Sequence, residues 1–134
     1  MQTLAAIALL VRDYDEAIAW YTRALGFELL EDTDLGGGKR WVRVAPRGAE
    51  GARGSALLLA RAINPEQTSR IGNQAAGRVF LFLASDDFDA DFAAMTARGV
   101  GFEEAPRSEG YGRVAVFRDL YGNRWDFVER AVRP

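Results

Sequence analysis

The feature that most constrains the fold is an internal echo. Asp13-Tyr14-Asp15 returns as Asp87-Phe88-Asp89 at an offset of 74, and Leu25-Gly26-Phe27-Glu28 returns as Val100-Gly101-Phe102-Glu103 at 75. A third match, Ala60-Arg61-Ala62 against Glu129-Arg130-Ala131, lies at 69, as expected if the loops of the two copies differ in length. Three echoes in the same order point to a duplicated supersecondary unit. A chain of 134 residues has room for one domain built from two such units and not for two ordinary independent domains.

Local patterning gives both copies the same plan. In the first, residues 6–11 fit a strand, and Asp13 stands at a helix N-cap with Glu16 three positions on, as in a capping box. Tyr14, Ala17, Ile18, Tyr21 and Leu25 then form one helical stripe, and Gly26 is placed to stop it. Strand-like stretches follow at 27–31, 40–44 and 56–60, separated by Gly36-Gly37-Gly38 and by segment 46–54. This β-α-β-β-β module spans about 3–62, and a linker over about 63–77 contains Pro65, Gly72 and Gly77. The second module, about 78–130, opens with a strand at 79–84 and a helix after Asp87 whose stripe is Phe88, Phe92 and Met95, ended by Gly99. It closes with strands 114–117 and 124–128 around a turn at Gly122-Asn123.

Composition removes several functions. Without cysteine there is neither a disulfide framework nor a thiolate metal site, and without histidine the commonest ligand of zinc, iron and nickel is missing. Ser-His-Asp and Cys-His catalysis are excluded on the same ground. Seventeen basic against nineteen acidic side chains leave a charge of -2, so no global field draws in nucleic acid or an anionic membrane. Lys39, Arg40 and Arg43 around Trp41 are too few for a nucleic-acid surface, and Gly36 to Gly38 lack the Lys-Ser/Thr tail of a phosphate loop. The apolar run 4–11 has nothing basic before it and Arg12, Asp13 and Asp15 after it, so it reads as a buried strand rather than a leader. No other apolar stretch approaches the roughly 20 residues that cross a bilayer. A cytoplasmic protein with no nucleic-acid or membrane partner is expected.

Two motifs carry a family resemblance. The segment Phe117-Arg118-Asp119-Leu120-Tyr121-Gly122-Asn123-Arg124-Trp125-Asp126-Phe127 resembles the close of the second module in the vicinal-oxygen-chelate superfamily. That superfamily includes glyoxalase I, extradiol dioxygenases, fosfomycin-resistance enzymes and bleomycin-resistance binding proteins. The segment from Leu10 to Ala17, with Trp20-Tyr21 and Leu25-Gly26-Phe27, is similar to its opening. The resemblance implies an α+β fold in which two β-α-β-β-β modules form a cupped mixed sheet with helices on the outer face. A homodimer is also implied, as is usual for members of this length.

In such proteins a divalent metal sits in the cup on ligands from the first and last strands of each module. Carried over by the echo offsets, those positions fall on Ala6, Leu57, Phe80 and Asp126. One carboxylate among three side chains that cannot ligate does not hold a metal tightly. Shifting the register by one residue offers only Ala5, Ile7, Ala56, Leu58, Val79 or Leu81, none of them a ligand. No metal, cofactor or catalytic residue is therefore assigned.

The cup is expected to be lined by Ala6, Ala8, Leu10, Leu57, Leu59, Phe80, Phe82 and Ala84, with Asp126 and with Trp41, Tyr111 and Arg113 at its rim. The candidate ligand-binding set is Ala6, Ala8, Trp41, Leu57, Phe80, Phe82, Tyr111 and Asp126. The small alanines argue for open volume, whereas Phe80 and Phe82 could instead fill the cup as core. Asp126 either seeks a ligand amine or pairs with Arg124 or Arg113 across the hairpin. The leading expectation is a metal-free protein that sequesters a hydrophobic or aromatic compound, a cationic one included. The alternatives are an enzyme, either a metal-dependent lyase, isomerase or dioxygenase with an atypical site or one using Asp126 alone for acid/base catalysis, and an oligomerisation or regulatory module with a filled cup.

Overall fold

The computed structural model describes residues 1–48 and 55–130. Part of the anticipated loop 46–54 and Ala131 of the third echo therefore lie outside the described residues. The chain forms two compact units that divide between Ile71 and Gly72.

The first unit contains β1 (Ala6–Val11), α1 (Tyr14–Arg23), β2 (Glu28–Gly36), β3 (Lys39–Ala45), β4 (Ala56–Arg61) and a short α2 (Pro65–Ser69). Its sheet runs β1-β4-β3-β2, with β1 parallel to β4 and the other pairs antiparallel. The second unit contains β5 (Val79–Ser85), α3 (Phe88–Ala97), β6 (Gly101–Phe102), β7 (Arg107–Glu109), β8 (Gly112–Arg118) and β9 (Arg124–Glu129). Its sheet runs β5-β9-β8-β6, β7 pairs with β8, and β5 is parallel to β9. The fold is α+β, with two mixed sheets. Two elements differ from the sequence reading: Asn64 caps the five-residue α2 inside the anticipated linker, and β7 is an extra short strand.

Local chemistry explains the helices. Asp13 is extended at φ -148° and its carboxylate accepts from the Glu16 N–H at 2.8 Å, satisfying one free donor of the first turn of α1. Asp87 does the same for α3 through the Ala90 N–H. Gly26 and Gly99 follow the two helices at φ 78° and 90°, a left-handed conformation that residues with a Cβ disfavour. Tyr14, Ala17 and Tyr21 of α1 are buried with Leu9, Val11, Val42, Val44, Leu57 and Leu59. In the second unit Phe88 stacks on Phe127 at 4.8 Å, and Phe102 bridges Phe92 and Phe117. Each sheet thus has one face packed by α1 or α3, where most of its large core side chains lie, and an opposite face that, among the described residues, neither of these helices covers.

Both units also carry an arginine clamp. The Arg40 guanidinium lies 5.2 Å from the Tyr14 ring centre, binds the Asp32 carboxylate through Nε and Nη2, and reaches Asp15 through Nη1. Arg113 lies 4.8 Å from the Phe88 ring centre and binds Glu129 and Asp89. Tyr14 and Asp15 precede Phe88 and Asp89 by the echo offset of 74, so the duplication extends to how a strand is tied to a helix N-terminus. The hydrogen bond from Arg40 holds the Asp32 carboxyl below its usual range, and that from Arg113 does the same for Glu129.

Candidate functional site

Strand register decides which residues share the helix-free faces. In β1, Ala8 pairs with Leu58 and Leu9 with Leu59, while across β4 Arg43 pairs with Leu58 and Val44 with Leu57. Alternation therefore places Ala6, Ala8, Leu10, Trp41, Arg43, Leu58 and Ala60 on the helix-free face of the first unit. Ala6 is half-buried, and Ala8 and Trp41 are exposed.

Leu57 and Leu59 are corrections to the expected lining. They belong with Leu9, Val42 and Val44 on the helix-packed face, and Leu57 is only 5% exposed. The cause is a one-residue error in the third echo. Ala8 pairs with Leu58 as Phe82 pairs with Asp126, so the closing strands are related by an offset of 68 rather than 69. Such a slip moves every side chain to the opposite face. The counterpart of Asp126 is Leu58.

In the second unit Phe82, Asp126 and Val116 form one row across β5, β9 and β8 on the face opposite Phe127. Phe82 is 68% exposed, so it does not serve as core; Ala84 on the same strand is also exposed. Phe80 departs from its expected equivalence with Ala6. It falls at a bulge between Val79 and Leu81, outside the ladder, whereas Ala6 pairs with Ala56. Tyr111 is 57% exposed in the turn between β7 and β8. The structure thus groups Ala6, Ala8 and Trp41 on one face of the first unit, and Phe82 with Asp126 on one face of the second.

Asp126 is the buried polar side chain on its face of β9. The residue is 8% exposed, and its Oδ1 is buried without a hydrogen-bond partner among the described residues. The anticipated pairing with Arg124 or Arg113 is not formed. Arg124 is held by Glu103 and the Gly77 carbonyl, and Arg113 by Asp89 and Glu129. The neighbouring turn is satisfied internally: the buried Asp119 accepts from the N–H groups of Tyr121 and Asn123, from the Asn123 amide and from the Trp125 indole. Asn123 in turn accepts from the Gln74 N–H. Gly122 alone of the turn pair takes positive φ, at 98°, so Asp119 and Gly122 shape this loop rather than a two-residue Gly-Asn turn.

The donor set does not fit the divalent metal that the resemblance implies. In the first unit the relevant positions are Ala6 and Leu58, and in the second Asp126 with Phe80 or, by the pairing, Val79, which together offer a single carboxylate. No cluster of three or more His, Cys, Asp or Glu capable of holding a metal occurs among the described residues.

Comparison with known proteins gives the family. Residues 3–127 match the model of the glyoxalase/bleomycin resistance protein/dioxygenase superfamily, and the chain belongs to it. An uncharacterized protein of Shewanella frigidimarina is 53% identical over 96% of this chain and 93% of its own length. Among solved structures, UcmS2 is 28% identical with a TM-score of 0.79, covering 96% of this chain and 98% of its own. TnmS3, an antibiotic binding protein from Streptomyces sp. CB03234, is 30% identical with a TM-score of 0.74, covering 98% of each chain.

Proposed function

We propose that the protein binds a small organic molecule on its helix-free sheet faces and sequesters it without a metal ion. The observation that carries this reading is the donor set: the superfamily's metal chemistry needs several ligands, and of the positions that the resemblance and the pairing indicate, Ala6, Leu58, Phe80 or Val79, and Asp126, only Asp126 offers one. What remains is apolar and aromatic surface, from Ala6, Ala8 and Trp41 in one unit and Phe82 in the other, which is the usual lining of a small-molecule site. Likeness to TnmS3, described as an antibiotic binding protein, supports a binding role over a catalytic one. A hydrophobic or aromatic ligand suits these surfaces. A homodimer belongs to the same proposal and rests on the sequence resemblance, and a cytoplasmic location belongs to it as an expectation from the sequence's apolar patterning.

A thermal-shift screen of neutral and charged polycyclic aromatics against EDTA-dialysed protein tests the reading. Hits are expected to raise the melting temperature without added metal. Ala8→Trp should remove hits that bind the first unit with little loss of stability, because Ala8 is exposed. Phe82→Ala should weaken those that bind the second. Hits that ignore both substitutions, or hits only in the presence of metal, would overturn it.

A further inference from the structure

We infer that the second unit recognises a cationic aromatic amine, its ammonium held by Asp126 and its ring laid on Phe82. The inference rests on the small-molecule reading above and names its ligand class. A buried carboxylate oxygen without a protein donor is costly, because it has left bulk water without gaining a hydrogen bond from the chain. Asp126 Oδ1 is in that position. The residue as a whole keeps 8% of its surface exposed, and Oδ1 itself is buried.

The chain does not supply the missing cation from the strands that flank this carboxylate. Arg124, two residues before Asp126, is bound to Glu103; Arg118, near the end of β8, is bound to Glu103 and to the Gly122 carbonyl; Arg113 is bound to Asp89 and Glu129. The remaining cross-strand neighbours of Asp126 are Val116 and Phe82. A carboxylate with no bonded donor, with Val116 and Phe82 across the strands and its same-face neighbour Arg124 committed to Glu103, favours a ligand group that brings both positive charge and N–H donors, because a charge-assisted bond exceeds a neutral one.

Phe82 supplies the second half of the recognition. It is the direct cross-strand partner of Asp126 and is 68% exposed, which leaves its ring face available. A planar ring stacked there would place a substituent on a one-carbon arm over the carboxyl, and the ammonium would also feel the ring's negative face.

The test compares two compounds of nearly equal shape on the full-length, metal-stripped protein by calorimetry at neutral pH: naphthylmethylamine, which is protonated, and naphthylmethanol, which is neutral. The wild type should bind the amine roughly tenfold to a hundredfold more tightly. Asp126→Asn should bring the two affinities together, while Phe82→Ala should weaken both and leave the preference in place. Circular dichroism confirms folding of each variant, and Asp126→Ser replaces Asp126→Asn if the amide is not tolerated. Equal affinities in the wild type, or a preference that survives in a folded Asp126 variant, would overturn the inference. Tight binding of naphthylmethanol alongside that result would leave the small-molecule reading standing. Binding of neither compound refutes the amine assignment, and the broader reading is then judged by its own screen.

Discussion

Replacing two adjacent leucines of β4 tests the register on which the site rests. Leu57 and Leu58 are chemically identical, yet alternation sends them to opposite faces: Leu57 is 5% exposed beside Ile7 and Val44, and Leu58 is half-buried beside Ala8 and Arg43. Truncating Leu57 to alanine removes packed methyl groups from the helix-covered core and leaves a cavity, a change that costs about 3 kcal/mol for a buried leucine. Leu58→Ala should cost about 1 kcal/mol or less, since the partly solvated side chain had less to lose and its neighbour Ala8 is exposed. Urea unfolding measures both, with a lowered midpoint at unchanged slope marking a pure stability loss. In melting temperature the gap between the variants should be several degrees, at roughly 3–5 °C per kcal/mol for a chain of this size. Equal losses, or a larger loss for Leu58→Ala, would show that β4 is shifted by one residue and that Leu57 is the counterpart of Asp126 after all.

Two further substitutions probe the scaffold. Gly72→Ala would place a Cβ 2.0 Å from the Tyr121 carbonyl oxygen at φ 73°, so it should destabilise the fold by about 2 kcal/mol or more in the same urea assay, a clash that a flexible side chain cannot relieve. Arg40→Gln should cost below about 1 kcal/mol at neutral pH, because its carboxylate partners are partly solvated. Arg40 lowers the Asp32 carboxyl in the folded state, so the stability it supplies is complete above the ordinary aspartate range and is lost as pH falls through the lowered folded value. The wild type and Arg40→Gln should therefore converge in stability at acid pH; a gap that persists unchanged there would contradict the clamp.

Much of the fold was legible because its signals are local. Asp13 and Asp87 as caps, the Tyr14-Ala17-Tyr21 stripe and the stops at Gly26 and Gly99 each depend on neighbours within a turn or two, and all appear as read. The faces of β4 were not legible: Ala56-Leu57-Leu58-Leu59-Ala60 is apolar throughout, so a period of two has nothing to act on. Its face was inferred from the third echo, whose spacing misses the pairing by one residue. The bulge at Phe80 likewise leaves no mark in a run of Val, Phe and Leu. Asp126 was identified as the one ligand-capable residue of its set, but its isolation from Arg113 and Arg124 depends on competing carboxylates at Glu103, Asp89 and Glu129. The arginine clamps were missed because each joins residues distant in sequence, although the acids at Asp15 and Asp89 already lay within the strongest echo.

On the proposed function, binding needs no metal and leaves its ligand unaltered. Equilibrium dialysis of the EDTA-treated chain against an aromatic hit, repeated with added zinc, manganese, nickel or iron and followed by mass analysis of the recovered compound, tests it most directly. Affinities should agree within about twofold with and without each metal, because one carboxylate adds little to metal binding. The compound should also be recovered chemically unchanged. Affinity that appears only with a stoichiometric metal, or recovery of a transformed product, would contradict the account and return this chain to the enzymes of its superfamily.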